Sequence, residues 1–166
     1  MQQALEVART ALDIGEVPVA CVIVHNNQVI ASGHNMTNIT HNASRHAELE
    51  AIDKVLYGNT TPLFDSTPLI SPSIFTECSL YVTVEPCGMC AAALKQLKFA
   101  KIVFGAKNDK FGGVGSVYKI LEEQESDSFV CKSGLFAGEA ILLLQEFYSK
   151  GNRNCPDEKR KRPLVT

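Results

Sequence analysis

Apolar residues recur three and four apart near the start of the chain, at Ala4 and Leu5, Ala8, then Ala11 and Leu12. This spacing predicts a helix over residues 2–14, with Gly15 as its stop. Two β-branched apolar runs follow, 17–24 and 28–32, and the short polar Asn26-Asn27 between them predicts a hairpin. Residues 46–57 set Ala51, Ile52, Val55 and Leu56 on one side of a second helix. Pro62, Pro68 and Pro72 among Thr and Ser make 58–79 a loop. Beyond it the pattern gives a strand at 80–84, a helix from Pro86 to Phe99, and a strand at 101–105. A weak strand at 128–132 and a closing helix at 138–149, almost wholly apolar on one face, complete the order. Strands alternating with helices specify an α/β layered domain. The hairpin is antiparallel and the helix-joined strands run parallel, so the sheet is mixed.

Composition narrows this to one ordinary globular domain: 166 residues, 45% hydrophobic and 20% charged. No apolar run approaches the roughly 18 residues of a membrane helix. The first residues show no basic start, apolar block or cleavage site, so the expected location is cytoplasm and/or nucleus. In such a compartment the six cysteines form no disulfide framework, and most are expected to be buried small hydrophobes, as Cys21 within 19–24 suggests. Only Cys87 and Cys90 have ligand spacing.

Charge changes the picture at the end of the chain. Residues 151–166 hold Arg153, Lys159, Arg160, Lys161 and Arg162 against Asp157 and Glu158, giving +3 and leaving −5 on the rest. The organisation read from this is a domain over 1–150 and a basic, disordered tail over 151–166. Such a tail can bind nucleic acid, act as a nuclear address, or do neither.

The candidate chemistry lies in two fragments, His46-Ala47-Glu48 and Pro86-Cys87-Gly88-Met89-Cys90. Cys87 and Cys90 are three apart on the first turn of a helix, where the helix N-terminus favours the thiolates that zinc binds. His46 supplies a third ligand, and three protein ligands with one open position are the pattern of a catalytic zinc. Residues two apart on a helix point to nearly opposite sides, so His46 and Glu48 share a site only at a helix end. The expectation is two helix N-termini converging on one Zn2+, with Glu48 moving protons for a water whose pKa the metal lowers. Alternatives remain: a structural zinc completed by His34, His41 or Cys78, or a redox pair.

His46-Ala47-Glu48 with Thr83-Val84-Glu85-Pro86-Cys87-Gly88-Met89-Cys90-Ala91-Ala92-Ala93-Leu94 resembles the tRNA adenosine deaminases of the cytidine/deoxycytidylate deaminase superfamily. Glu16-Val17-Pro18-Val19-Ala20-Cys21 and Phe111-Gly112-Gly113-Val114-Gly115-Ser116-Val117 strengthen the likeness to the catalytic subunits of the heterodimeric eukaryotic enzymes. The resemblance implies a cytidine-deaminase-like three-layer α/β/α sandwich with a five-stranded mixed sheet. It implies conversion of wobble adenosine to inosine in a tRNA anticodon stem-loop, and a related, non-catalytic deaminase-fold subunit as partner. It puts Asn35, Val19 and Ala47 at the base pocket, Ala47 through its backbone, and residues 108–113 beside the anticodon. Lys159, Arg160, Lys161 and Arg162 would help hold the tRNA, since the acidic body repels phosphate. From the residues alone, Gly112-Gly113 could be a flexible turn and Phe111 core. Two other functions stay open: deamination of a free base or nucleotide of cytosine, guanine or deoxycytidylate type, and a silent zinc-stabilised RNA-binding subunit.

Overall fold

The computed structural model describes residues 1–58, 68–121 and 130–149. The basic tail, with Lys159 to Arg162, lies outside the described residues. Helix α1 (Gln2–Asp13) leads into the hairpin β1 (Ala20–His25) and β2 (Gln28–His34), then a single helical turn α2 (Thr37–Thr40) and helix α3 (Ala47–Tyr57). Strand β3 (Ser79–Val84), helix α4 (Gly88–Gln96), strand β4 (Lys101–Ala106), short strand β5 (Val130–Lys132) and helix α5 (Ala137–Ser149) follow. The five strands form one mixed sheet in the order β2-β1-β3-β4-β5, antiparallel at β2-β1 and β1-β3, parallel at β3-β4 and β4-β5.

Side chains alternate across this sheet, and both faces are covered. Cys21 and Ile23 of β1, Leu80 and Val82 of β3, and Ile102 and Phe104 of β4 join Ala51, Ile52, Val55 and Leu94 in the larger core, under α3 and α4. Ala20 turns the other way, to Ala8 of α1 and Leu143 of α5. Helix, sheet and helix thus make three layers. No helix among the described residues is long and apolar enough to cross a membrane.

Local departures from the sequence pattern have identifiable causes. The run 17–24 yields a strand only from Ala20, because Val19 N–H closes on Val17 C=O at 2.7 Å, a three-residue turn. Asn26 and Asn27 take φ of 49° and 61°, as a two-residue hairpin requires. Of the predicted 58–79 loop, residues 59–67 lie outside the described residues; the rest contains a 3-10 helix, Pro72–Glu77, which sends Phe75 into the core to stack on Phe99 at a centroid separation of 4.9 Å. Helix α4 is shorter than the pattern suggests: Pro86 precedes it, and Lys98 at φ 57° ends it before Phe99. On α5 the three consecutive leucines divide, Leu143 buried and Leu142 64% exposed. Cys21 and Cys78 are buried as expected, but Cys131 is exposed on the sheet's edge strand.

Helix α3 lies so close to β2 that Gly33 is required for packing. A Cβ there would stand 2.2 Å from Ala47 C=O and 2.7 Å from the Ala51 amide nitrogen, both main-chain atoms. Gly33→Ala is expected to cost about 2 kcal/mol by overpacking. For a domain of this size that lowers Tm by roughly 4–8 °C. Scanning calorimetry checks it, and an unchanged Tm would contradict the α3–β2 contact.

Candidate active site

Two helix starts meet at the C-terminal end of β3. His46 is the N-cap of α3, with extended φ/ψ of −82° and 159°. Cys87 is the N-cap of α4, at −68° and 171°. An N-cap side chain ordinarily folds back onto the first-turn amides. Neither residue makes such a capping bond; both side chains converge instead. His46 Nδ1 lies 3.5 Å from Cys87 Sγ and 3.6 Å from Cys90 Sγ. Tetrahedral zinc with ordinary Zn–S and Zn–N bonds spaces a sulfur and a nitrogen about 3.6 Å apart, so the donor set fits the ion. Because His46 lies just outside the helix, Glu48 in the first turn can face the same space, although residues two apart within a helix diverge.

No fourth protein ligand joins the triad among the described residues. His34 Nδ1 is engaged by Asn35 C=O at 2.8 Å, and Cys78 Sγ donates to Ile74 C=O at 3.3 Å. Among the described residues, His41 included, the structural-zinc alternative therefore lacks its completing ligand. Charge at the site is set by close packing. Hydrogen bonds from the Cys90 thiol, chiefly, and from the His46 ring pull the Cys87 thiol down to about 4. The same bond to Cys87, with burial, pushes the Cys90 thiol well up. Burial, and next the Cys87 charge, raise the Glu48 carboxyl above the usual range.

The site opens into a cavity of about 910 Å³, lined among others by Val19, Asn35, His46, Glu48, Cys87 and Phe111. Glu48, 3% exposed, is among the lining residues. Asn35 lines the cavity and is 8% exposed, and its Oδ1 accepts the Ala47 N–H at 3.1 Å. Ala47 is fully buried; its N–H is spent on Asn35, and its C=O accepts from the Cys21 thiol at 3.2 Å. Phe111 is 64% exposed at the cavity wall and is not core. Gly112-Gly113 is no flexible turn. A Cβ on Gly112 would meet Glu85 Oε1 at 2.6 Å, and one on Gly113 would meet Ala91 Cβ at 2.7 Å.

Sequence reasoning missed two buried carboxylates beside the site. Glu16, fully buried, accepts from Ile39 N–H at 2.7 Å and Asn38 Nδ2 at 3.1 Å, tying α2 to the end of α1. Glu85, 2% exposed, gathers the loop after β4. Both lie inside the motifs that carry the family resemblance, but their donors are more than twenty residues away, which no local pattern reveals.

The fold and the His-Cys-Cys triad define a zinc-dependent deaminase. A family model for the cytidine and deoxycytidylate deaminase zinc-binding region matches residues 1–106, and the chain belongs to that family. It is 43% identical to tRNA-specific adenosine deaminase 2 of Xenopus laevis, over 96% of this chain and 90% of that one. It is 46% identical to tRNA-specific adenosine deaminase subunit tad2 of Schizosaccharomyces pombe, over 99% of this chain but only 40% of that protein. A solved structure from studies of A-to-I editing by tRNA:A34 deaminases matches with TM-score 0.69 and 30% identity, over 87% of this chain and 97% of that one. Within the deaminase family the chain thus belongs with the tRNA-specific adenosine deaminases.

Proposed function

We propose that the chain is the catalytic subunit of an enzyme that hydrolytically deaminates adenosine to inosine at the wobble position of tRNA anticodons. The observation that carries the chemistry is a three-ligand zinc site without a fourth protein ligand among the described residues, with buried Glu48 in the same cavity. The choice of adenosine in tRNA is supported by the similarity to tRNA-specific adenosine deaminases. When bound, zinc lowers the pKa of a water in its open position. His46, Cys87 and Cys90 hold the ion, and Glu48 takes the proton of the attacking water onto a carboxylate oxygen. Glu48 then delivers protons to the purine ring nitrogen and to the departing amine, so that adenosine and water give inosine and ammonia. Asn35 Nδ2 donates to the base, and Val19 packs against it. A wobble base lies in a single-stranded loop, where turning it into a pocket costs less than opening a duplex.

Positive charge must come from beyond the acidic body. Tyr148, on the last turn of α5, borders the cavity, and Lys159 to Arg162 follow it in the chain by eleven to fourteen residues. We assign these four residues to contact with phosphates of RNA seated there. Ile141, Leu142 and Tyr148 leave apolar surface on α5, which suits a related, non-catalytic subunit. Removing residues 151–166 is expected to weaken RNA binding and to flatten the log–log salt dependence by roughly three, at about 0.7 for each phosphate the tail neutralises. Anisotropy titrations at several salt concentrations measure this, and strong salt-sensitive binding by the tailless chain alone would count against it.

The deciding experiment incubates the zinc-loaded chain, with and without the candidate partner, with an anticodon stem-loop. Mass spectrometry should find inosine at the first anticodon nucleotide. Ammonia release from free cytidine or guanine, with the RNA untouched, would instead support the free-base reading.

A further inference from the structure

Four hydrogen bonds reach one buried carboxylate that the chemistry at Glu48 does not use. Glu85 follows β3 and precedes Pro86-Cys87. Its Oε2 accepts the Asn108 N–H at 3.0 Å and the Ser116 hydroxyl. Its Oε1 accepts the N–H groups of Val114 at 3.1 Å and Ser116 at 3.0 Å. A carboxylate offers about four lone-pair positions, so one loop satisfies the whole group. Burying this charge without those donors would be strongly unfavourable.

The same loop is also fastened to the residues just after Glu85. Gly113 N–H donates to Pro86 C=O at 2.8 Å, and Gly88 N–H donates to Phe111 C=O at 3.1 Å. Gly112 pairs with Cys87 in an isolated antiparallel bridge. Gly112 and Gly113 have no room for a Cβ against Glu85 Oε1 and Cys87 C=O. The outer side of the loop, Lys107 to Phe111, forms one wall of the active-site cavity. One element thus touches the zinc-ligand turn on one side and the substrate space on the other.

We propose that Glu85 is a positioning residue: its carboxylate gathers residues 108–116 onto the Cys87 turn and so holds the cavity wall that receives the nucleotides around the target base. This rests on the tRNA reading above for the identity of the substrate. Glutamine has the same shape but carries one acceptor oxygen and one NH2 group. With the NH2 group in the Oε1 position, two loop N–H donors face it; in the Oε2 position the Ser116 hydroxyl can turn to accept, and the Asn108 N–H still loses its acceptor. The zinc ligands and Glu48 are left in place, so the loss falls on substrate binding.

The test compares the full-length, zinc-loaded wild type, Glu85→Gln and Ser116→Ala, each with any partner that activity requires. Amide hydrogen exchange across 108–116 is expected to quicken about tenfold or more in Glu85→Gln, and less in Ser116→Ala. Zinc content stays at one per chain. KM for the anticodon stem-loop rises about tenfold while kcat stays within about threefold, which a general loss of stability would not produce. Unchanged exchange in folded Glu85→Gln, or a fall in kcat at constant KM, would overturn the proposal. Should Glu85→Gln fail to fold, Ser116→Ala decides by the same two readouts, because it removes one donor and keeps the carboxylate. Should the wild type turn over no RNA, the tRNA reading fails, while exchange at 108–116 still decides whether Glu85 holds the loop.

Discussion

Glu48→Gln is expected to lower turnover about 10³-fold, within the range for a lost general acid–base group, while zinc stays bound at one per chain. Glu48 sits in the first turn of α3, two residues past the metal ligand His46, and is 3% exposed. Glutamine keeps its volume and its hydrogen-bonding reach but cannot accept and return a proton. A stability measurement separates this role from a structural one. Burial raises the Glu48 carboxyl, so in the metal-free protein its ionised form opposes folding. With the folded value above the unfolded one, its favourable contribution is complete below the ordinary carboxyl range and is lost as pH rises through the folded value. At pH 7 metal-free Glu48→Gln should therefore be at least as stable as the metal-free wild type. Loss of turnover with Tm held or raised, and zinc retained by elemental analysis, is the expected set of results. Wild-type activity in the variant would remove Glu48 from the chemistry and favour a silent zinc module.

The cysteine pair is legible in the sequence because ligand type and spacing are local properties, whereas His46 joins it only through the combined His-x-Glu and Pro-Cys-x-x-Cys signature. Cys87 and Cys90 are three apart, and thiolate chemistry restricts what such a pair can do. The hairpin was legible for a similar reason, since Asn26 and Asn27 are residues that tolerate the positive φ found there. Helices α3 and α4 start one and two residues later than the apolar period predicts, at the positions that matter most. His46 and Cys87 are N-caps, and what fixes them there is convergence across forty-one residues of sequence, not the local apolar period. Helix α2 escaped notice because four residues leave no period, and its anchor is the distant Glu16. Phe75 lay in a proline-rich stretch that read as loop, yet its ring completes the core beside Phe99. Gly112 and Gly113 were ambiguous for a reason of principle. A glycine selected for flexibility and one selected for close approach are the same letter, and only the neighbours Glu85, Ala91 and Cys87 tell them apart.

Cys87→Ala is expected to abolish activity together with zinc binding, and to lower stability as far as zinc removal does. With free zinc about a thousandfold above Kd, a site formed only in the folded state contributes about 4 kcal/mol. In a domain of this size that corresponds to a Tm drop of roughly 8–16 °C. Chelation should lower the wild-type Tm by this amount and leave the Cys87→Ala Tm unmoved. The two thiols also set a pH dependence. Cys87, held at about 4, is already a thiolate near neutrality, whereas Cys90, with its thiol pushed up by its bond to Cys87 and by burial, must give up a proton when zinc enters. Zinc affinity should therefore weaken as pH falls from about 8 toward about 6, by about tenfold per unit for the proton that Cys90 releases, and more steeply once the His46 ring, whose pKa its hydrogen bond to Cys87 raises, must also give up a proton to bind the ion. Calorimetric titrations in buffers of different ionisation enthalpy count the released protons directly. The depressed Cys87 value acts in the metal-free fold as well: its contribution is present above the ordinary thiol range and is lost as pH falls toward about 4. Metal-free Cys87→Ala should accordingly show a weaker dependence of Tm on pH between those limits than the metal-free wild type. A Cys87→Ala protein that still bound one zinc tightly and answered to chelator would mean that some other donor completes the site, and the three-ligand geometry of His46, Cys87 and Cys90 would have to be given up.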